Sequence, residues 1–384
     1  METLSRLKAL SSQMELEPAE DTGCPKISEN GDLTGLVSQA VIPGGKKISL
    51  LKTLLTSACE RNCYYCPFRA GRNFRRNTLK PQELVQAFIN LNRSGIVEGL
   101  FLSSGIIRGG VSTQDKLIET AEILRNKYQY KGYLHLKIMP GAEKDQVLRA
   151  MQLANRISVN LEAPNPERIL LLAPLKDFNT ELLLPIKWIE EIRRSLTPEQ
   201  SWNGRWPSSV TQFVVGGSGE SDLELLSTTE VLYKQYILRR AYFSAFRPIE
   251  DTPLESVPPT PKIREHRLYQ ASFLLRDYGF TLEEMPFDQD GQLPSETDPK
   301  LAWAQAHLTH QPVEINRASR QELMRIPGIG PRTAMAILSA RQGGRIKRAE
   351  DLTKFGIPLP KAAPFILLDG RQPVHQLSLF STKL

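Results

Sequence analysis

Between residues 48 and 280, short apolar runs alternate with longer stretches in which apolar side chains recur every three to four positions. The runs cover 48–55, 99–103, 133–138, 157–161, 210–215 and 241–246, and the helical-period stretches lie near 81–94, 114–128, 143–153, 179–196, 221–236 and 261–279. A continuous apolar run bounded by turn residues reads as a strand buried on both faces, and the longer period as an amphipathic helix. Six strand–helix units in succession predict a parallel sheet with crossover helices, either doubly wound or curled into an open barrel. Two start signals agree: Pro81 suits a first helical position, and Ser221 with Glu224 forms a capping box.

The pattern changes on either side. Residues 1–45 are polar and interrupted by Pro18, Pro25 and Pro43, a lead-in to a domain over 46–282. Residues 283–314 are rich in Pro and acid and predict a linker or strap. Residues 315–371 predict short helices separated by Gly/Pro turns, a small all-α domain, and 372–384 a flexible tail.

A chain of 384 residues exceeds the roughly 100–200 of one ordinary domain, and its 40% hydrophobic content supplies a sizeable core. No apolar run approaches the ~18 residues of a membrane span, and METLSRLKAL at the N-terminus lacks the apolar stretch of a signal peptide. A cytoplasmic protein without a membrane partner is expected. Charge divides unevenly: residues 316–384 hold 12 Lys and Arg against 4 Asp and Glu, a balance of +8 in a chain of +7, so the rest sums to −1. This local basic excess is the footprint of a polyanionic partner.

Cys59, Cys63 and Cys66 crowd into eight residues directly after the first apolar run. Three thiolates on such a loop can ligate three irons of a cubane cluster and leave the fourth open to an exogenous ligand. A structural zinc site needs four ligands, and the remaining candidates are the lone Cys24 and five scattered His. The C-x3-C-x2-C spacing, with Tyr65 before the last Cys, resembles the radical S-adenosylmethionine (SAM) superfamily. The resemblance implies a partial (βα)6 TIM-like barrel, a [4Fe-4S] cluster on Cys59, Cys63 and Cys66, and SAM on the open iron. It also implies cleavage of SAM to a 5′-deoxyadenosyl radical by one electron from a donor the sequence does not identify.

By the same resemblance, Tyr65, Ser103, Ser104, Gly105, Asn160, Glu162, Val215 and Gly216 are expected to bind the cofactor. Ser103-Ser104-Gly105 stands where the family often has Gly-Gly-Glu, so the family's acidic residue is missing. On the fourth strand Asn160 and Glu162 share one face and Val159 and Leu161 the other. On the third, His135 and Lys137 alternate with Leu134 and Leu136, making His135 a packed core residue and Lys137 a candidate anion ligand. Arg69, Arg72, Arg75, Arg76 and Lys80 follow the cysteines without an intervening acid; they form either a phosphate-attracting rim or a solvated loop.

Near the C-terminus, Ser319 and Glu322 form a capping box, followed by Pro327-Gly-Ile-Gly-Pro331 and a second helical-period stretch from Arg332. Amides at such a turn suit a phosphate. The segment resembles helix-hairpin-helix modules that grip DNA backbones without reading sequence, which assigns Gly328, Ile329, Gly330, Arg332 and Thr333 to DNA, with Lys347 and Arg348 adding charge. Gln376-Leu377-Ser378-Leu379-Phe380 is similar to the pentapeptide that docks on the replicative sliding clamp, placing Gln376, Leu377, Leu379 and Phe380 in a partner contact. The whole chain resembles radical SAM proteins of DNA modification and repair that are associated with a uracil-DNA-glycosylase-like partner. The expectation is a radical SAM enzyme acting on DNA. The alternatives are a non-catalytic iron–sulfur protein that binds DNA and the clamp, or radical SAM chemistry on tRNA.

Overall fold

The computed structural model describes residues 2–12, 14, 37–41 and 47–374. Contacts divide the chain into one unit of Met1–Glu220 with Val231–Pro261 and a second of Ser221–Glu230 with Lys262–Leu384. Cys24 and the 376–380 pentapeptide lie outside the described residues. Among those described, no helix is long and apolar enough to cross a membrane.

The six apolar runs become six parallel strands in the first unit: β2 (Lys47–Leu54), β3 (Gly99–Ser103), β4 (Tyr133–Lys137), β5 (Arg156–Ser158), β6 (Ser208–Val215) and β7 (Arg240–Ala245). They pair in chain order, with β1 (Val37–Val41) added antiparallel beside β2. The edges β1 and β7 do not meet, so the sheet is an open, partial (βα)6 barrel rather than a doubly wound sheet. Every residue of β3 is buried, as a strand covered on both faces requires. The crossover helices α2 (Pro81–Arg93), α3 (Gly109–Glu122), α4 (Lys144–Leu153) and α6 (Leu184–Ser195) follow the predicted periods, as do α7 (Asp222–Gln235), whose residues up to Glu230 belong to the second unit, and α8 (Lys262–Asp277) of that unit. An α5 of Pro166–Leu172 precedes α6, and α1 (Glu2–Ser12) buries Leu7 and Leu10.

Three departures have physical reasons. The strand predicted over 157–161 ends at Ser158, because a side chain replaces the ladder beyond it. The Thr211 hydroxyl donates to the Val159 carbonyl at 2.7 Å and accepts from the Leu161 amide at 3.1 Å. The ladder then resumes with Glu162 N–H to the Gln212 carbonyl at 2.9 Å. Three steps on one strand match two on the other, a bulge that Glu162 closes at φ 64°. The helix predicted over 179–196 opens as a π-helical turn, Phe178–Leu183, before α6, since Pro185 has no amide for an α-helical bond. The seven-residue α5 was not expected: Ile169-Leu170-Leu171-Leu172 is apolar throughout and shows no period. Its start is signalled only by Asn165, whose side chain caps the Arg168 amide at 2.9 Å, and by Pro166.

In the second unit, the stretch predicted as a linker carries α9 (Pro299–His307), capped by Asp298. Helices α10 (Arg320–Arg325), α11 (Pro331–Gln342), α12 (Ala349–Thr353) and α13 (Leu359–Ala362) follow. Leu323, Ile326, Ile329, Ile337, Leu352 and Phe365 lie in their shared core. The expected all-α domain also contains a two-residue parallel ladder of β8 (Val313–Glu314) and β9 (Ile366–Leu367), extended by Ile315 N–H to the Leu367 carbonyl at 2.9 Å.

Thr211→Val removes both bonds across the bulge and leaves two buried backbone groups unpaired, an expected loss of about 1–3 kcal/mol. Urea unfolding checks this. Thr211→Ser should retain most of the stability, and equal midpoints for Thr211→Val and wild type would show that the bulge stands without the hydroxyl.

Candidate functional site

The loop between β2 and α2 has almost no regular structure, and bonds from outside it fix its course. Its ends meet where the Thr56 and Thr78 hydroxyls lie 2.6 Å apart and the Ser57 amide donates to the Asn77 carbonyl at 2.9 Å. Across the loop, the Arg76 guanidinium donates to the carbonyls of Ser57 and Phe68 at 2.9 Å and of Arg69 at 2.8 Å. Arg72 donates to the Pro67 and Glu250 carbonyls. The basic run is therefore neither phosphate rim nor solvated loop at these two positions; its charge goes to backbone oxygens. The Glu60 carboxylate accepts from the Arg108 and Gly109 amides at 3.0 Å and caps α3. Arg61 pairs with Glu181 and donates to the Leu175 carbonyl, while the Tyr64 amide donates to the Leu172 carbonyl at 2.7 Å.

Held this way, Cys59, Cys63 and Cys66 line one cavity of about 140 Å³ at the C-terminal ends of the strands. The Ile106 amide donates to Cys59 Sγ and the Phe68 amide to Cys66 Sγ, both at 3.4 Å, so backbone dipoles face two of the sulfurs. Gly105 permits the approach: a Cβ there would overlap the Ala58 carbonyl oxygen and lie 3.2 Å from Cys59 Cβ. Burial pushes the Cys63 thiol up, opposed by Lys176, and burial likewise raises Cys66. Metal ligation must then release these protons. Among the described residues no three His, Cys, Asp or Glu side chains are placed to grip a single metal ion. Soft thiol donors on one wall, N–H groups aimed at sulfur and a side-chain-free cradle instead fit a group that takes each sulfur on a different metal.

Of the residues expected to bind cofactor, Tyr65, Ser103, Ser104, Gly105, Asn160 and Glu162 all line this cavity. Val215 and Gly216 do not. Side chains alternate along β6, so Gln212 and Val214 face the cavity and Val215 the opposite side. Gly216, at φ 90°, belongs to a turn that Glu220 closes by accepting from the Gly216 and Ser218 amides. Lys137 lines the cavity, and His135, two residues earlier on the same face, packs edge-on against Phe101 with ring centroids 4.6 Å apart.

Sequence reasoning missed Lys176. It sits in the connection after α5, with no periodic signal, yet its ammonium donates to Glu162 Oε1 at 3.2 Å and lies 3.4 Å from the Tyr65 hydroxyl. Both members of the pair are under a tenth exposed. Burial opposes the Lys176 charge, but Cys63 and Glu162 outweigh it and hold the amine above its ordinary value; burial foremost raises the Tyr65 phenol.

The second unit carries its own candidate site. Gly330 precedes α11, with Pro331 in its first turn. The Arg332 and Thr333 amides have no carbonyl ahead of them within the helix. Arg320, Gly330, Arg332 and Thr333 line a groove with Arg276 and Tyr278 of the α8 end. Gly328, at φ 85°, lies where a Cβ would press on the Pro358 ring at 2.7 Å. The Ile329 side chain is buried in the core and its amide donates to the Ile326 carbonyl, so it anchors the turn from inside. Lys347 and Arg348 are exposed.

Residues 53–232 match the radical SAM superfamily, and residues 309–356 match the helix-hairpin-helix motif. No curated protein matches the sequence. Among solved structures, the chain is similar to the FeFe-hydrogenase maturase HydG from Carboxydothermus hydrogenoformans at 17% identity and a TM-score of 0.45, over 59% of this chain and 51% of that one. It is also similar to methylornithine synthase (PylB) at 14% identity and a TM-score of 0.47, over 59% of this chain and 61% of the other. The chain thus spans less than two thirds of the length of either protein.

Two measurements probe the cavity. Gly105→Ala should displace the cysteine loop and sharply lower the iron and sulfide retained by anaerobically purified protein; full retention would show that the close approach is dispensable. Lys176→Met strands the Glu162 charge and should cost about 3–5 kcal/mol in denaturant unfolding, with much of that recovered in the Lys176→Met/Glu162→Gln double variant.

Proposed function

We propose that this chain, whose residues 53–232 match the radical SAM superfamily and residues 309–356 the helix-hairpin-helix motif, is a radical SAM enzyme that uses a [4Fe-4S] cluster and SAM to modify or repair DNA. One observation carries the enzymatic part: three loop thiols and a buried Lys–Glu pair line the same cavity at the strand ends. In this reading Cys59, Cys63 and Cys66 hold the cluster. Lys176 and Glu162 present one cation and one anion, complementary to the carboxylate and ammonium of an amino-acid end. Asn160, whose side-chain amide lies 3.4 Å from that of Gln212, and Ser103 with Ser104 offer hydrogen bonds to ribose hydroxyls. Bound together, cluster and cofactor supply one-electron cleavage of a sulfonium C–S bond. The protein orients the sulfonium nucleotide and keeps the charged pair dry.

The DNA assignment rests on the second unit. A helix-hairpin-helix motif is consistent with non-specific DNA binding, and Arg320, Arg332 and two open amides line one groove beside a turn built from glycines. Contacts of this kind grip phosphates irrespective of sequence. The target base therefore has to be selected in the cavity. Cytoplasmic location, an external electron donor, a glycosylase-like partner and clamp docking through 376–380 complete the proposal on sequence grounds.

Anaerobically reconstituted protein with dithionite and SAM should release 5′-deoxyadenosine, and Cys63→Ala should not. Absence of product with every reductant would favour a non-catalytic iron–sulfur protein. In duplex-DNA binding, Arg332→Ala should weaken affinity uniformly across sequences and lower the log–log salt slope by about 1. Stronger competition by tRNA than by duplex DNA at fixed salt would transfer the substrate assignment to RNA.

A further inference from the structure

Lys300 belongs to α9 and lies outside the matched hairpin motif, yet it reaches into the hairpin turn. Its ammonium donates to the Ile329 carbonyl at 2.6 Å and lies 4.7 Å from the Tyr278 ring centroid, and the residue is 8% exposed. The Ile329 side chain is packed in the core and its amide is bonded to Ile326. The Ile329 carbonyl and the Gly330 amide belong to one trans peptide plane and point in opposite directions. A lysine that draws the carbonyl inward therefore aims the Gly330 N–H outward, on the side of the groove lined by Arg320 and Arg332.

We propose that Lys300 is a positioning residue that sets the Ile329–Gly330 peptide, and that its protonation tunes how firmly the hairpin turn holds a phosphodiester. The role in binding rests on the DNA reading above; the hold on the turn does not. The groups facing Lys300 are Asp298 at the cap of its own helix, Arg325 of α10 and Tyr278 at the end of α8. Burial, with Arg325 adding to it and Asp298 opposing, brings the amine down to about 7 from its ordinary 10.5. Below neutrality the bond to Ile329 is charge-assisted, and above it only a neutral amine remains. Stability moves the other way. The folded unit releases a proton that the unfolded chain keeps, so raising the pH from about 7 towards 10.5 stabilises the fold while loosening the turn.

The test uses the full chain with glycine labelled in ¹⁵N, comparing wild type, Lys300→Arg and Lys300→Met. In wild type the Gly330 amide shift should titrate near neutral pH, and in both variants it should stay flat. Duplex affinity at fixed salt should fall several-fold between pH 6.5 and 8.5 in wild type and stay level in Lys300→Arg. In Lys300→Met it should be about fivefold weaker and level, the effect of losing one hydrogen bond. A Gly330 shift indifferent to Lys300→Met, or a wild-type pH slope persisting in Lys300→Arg, overturns the proposal. A titrating Gly330 in a protein that binds no duplex at any pH overturns the DNA reading alone and leaves the hold on the turn standing.

Discussion

An irregular loop can present three thiols on one wall only if something outside it fixes its backbone, because a loop of this length has little structure of its own. Here Arg76 supplies the restraint. It donates to carbonyls near both ends of the cysteine segment, Ser57 on one side and Phe68 and Arg69 on the other. A guanidinium has five donors in a rigid fork, which lets one side chain span carbonyls that no single backbone bond could join. The restraint would fail without Gly105, since any side chain there would push the β3 end off the Ala58–Cys59 backbone. Charge on one side and the absence of a Cβ on the other define the position of the thiols.

The same restraint explains how far the site was legible in the sequence. The strands were readable because each holds a short, largely apolar run between longer helical-period stretches, and the cysteines because their spacing is short and local. Arg69, Arg72, Arg75 and Arg76 were ambiguous because composition cannot distinguish an arginine facing solvent from one spent on carbonyls; that depends on where the chain returns. Lys176 left no trace because its meaning comes from Glu162, which enters the cavity across a bulge made by a third residue, Thr211. Val215 lies one position from Val214, which faces the cavity, and Gly216 lies in the turn beyond the strand. In a strand of period two, a shift of one changes the face completely. Asn160 and Glu162 both line the cavity although their strand is shorter than expected, because the bulge returns both to it.

In the second unit the hairpin was legible for a complementary reason. Its glycines are demanded by local geometry, Gly328 by a positive φ and by the Pro358 ring, and its caps by helix ends only a few residues away. In Ile329 apolar and backbone roles coincide: its side chain serves the core while its peptide belongs to the turn. Lys300 could not be found from the motif at all. It acts from a helix that the acid- and Pro-rich composition of 283–314 disguised as a linker.

The two buried lysines show what a partner decides. Desolvation opposes the charge of both. Lys176 faces a carboxylate and the thiols, and attraction to the negative groups exceeds the penalty, so its charge is a fixed feature of the cavity. Lys300 bonds to a carbonyl dipole and sits over a ring, and the penalty, with repulsion from Arg325, prevails over the attraction of Asp298. A carboxylate commits a buried amine to one protonation state; a carbonyl leaves it free to change. In the proposed reading the cavity uses the first arrangement, because a ligand with fixed charges meets a fixed complement. The hairpin turn, in the proposed role of gripping and releasing a polymer, would use the second.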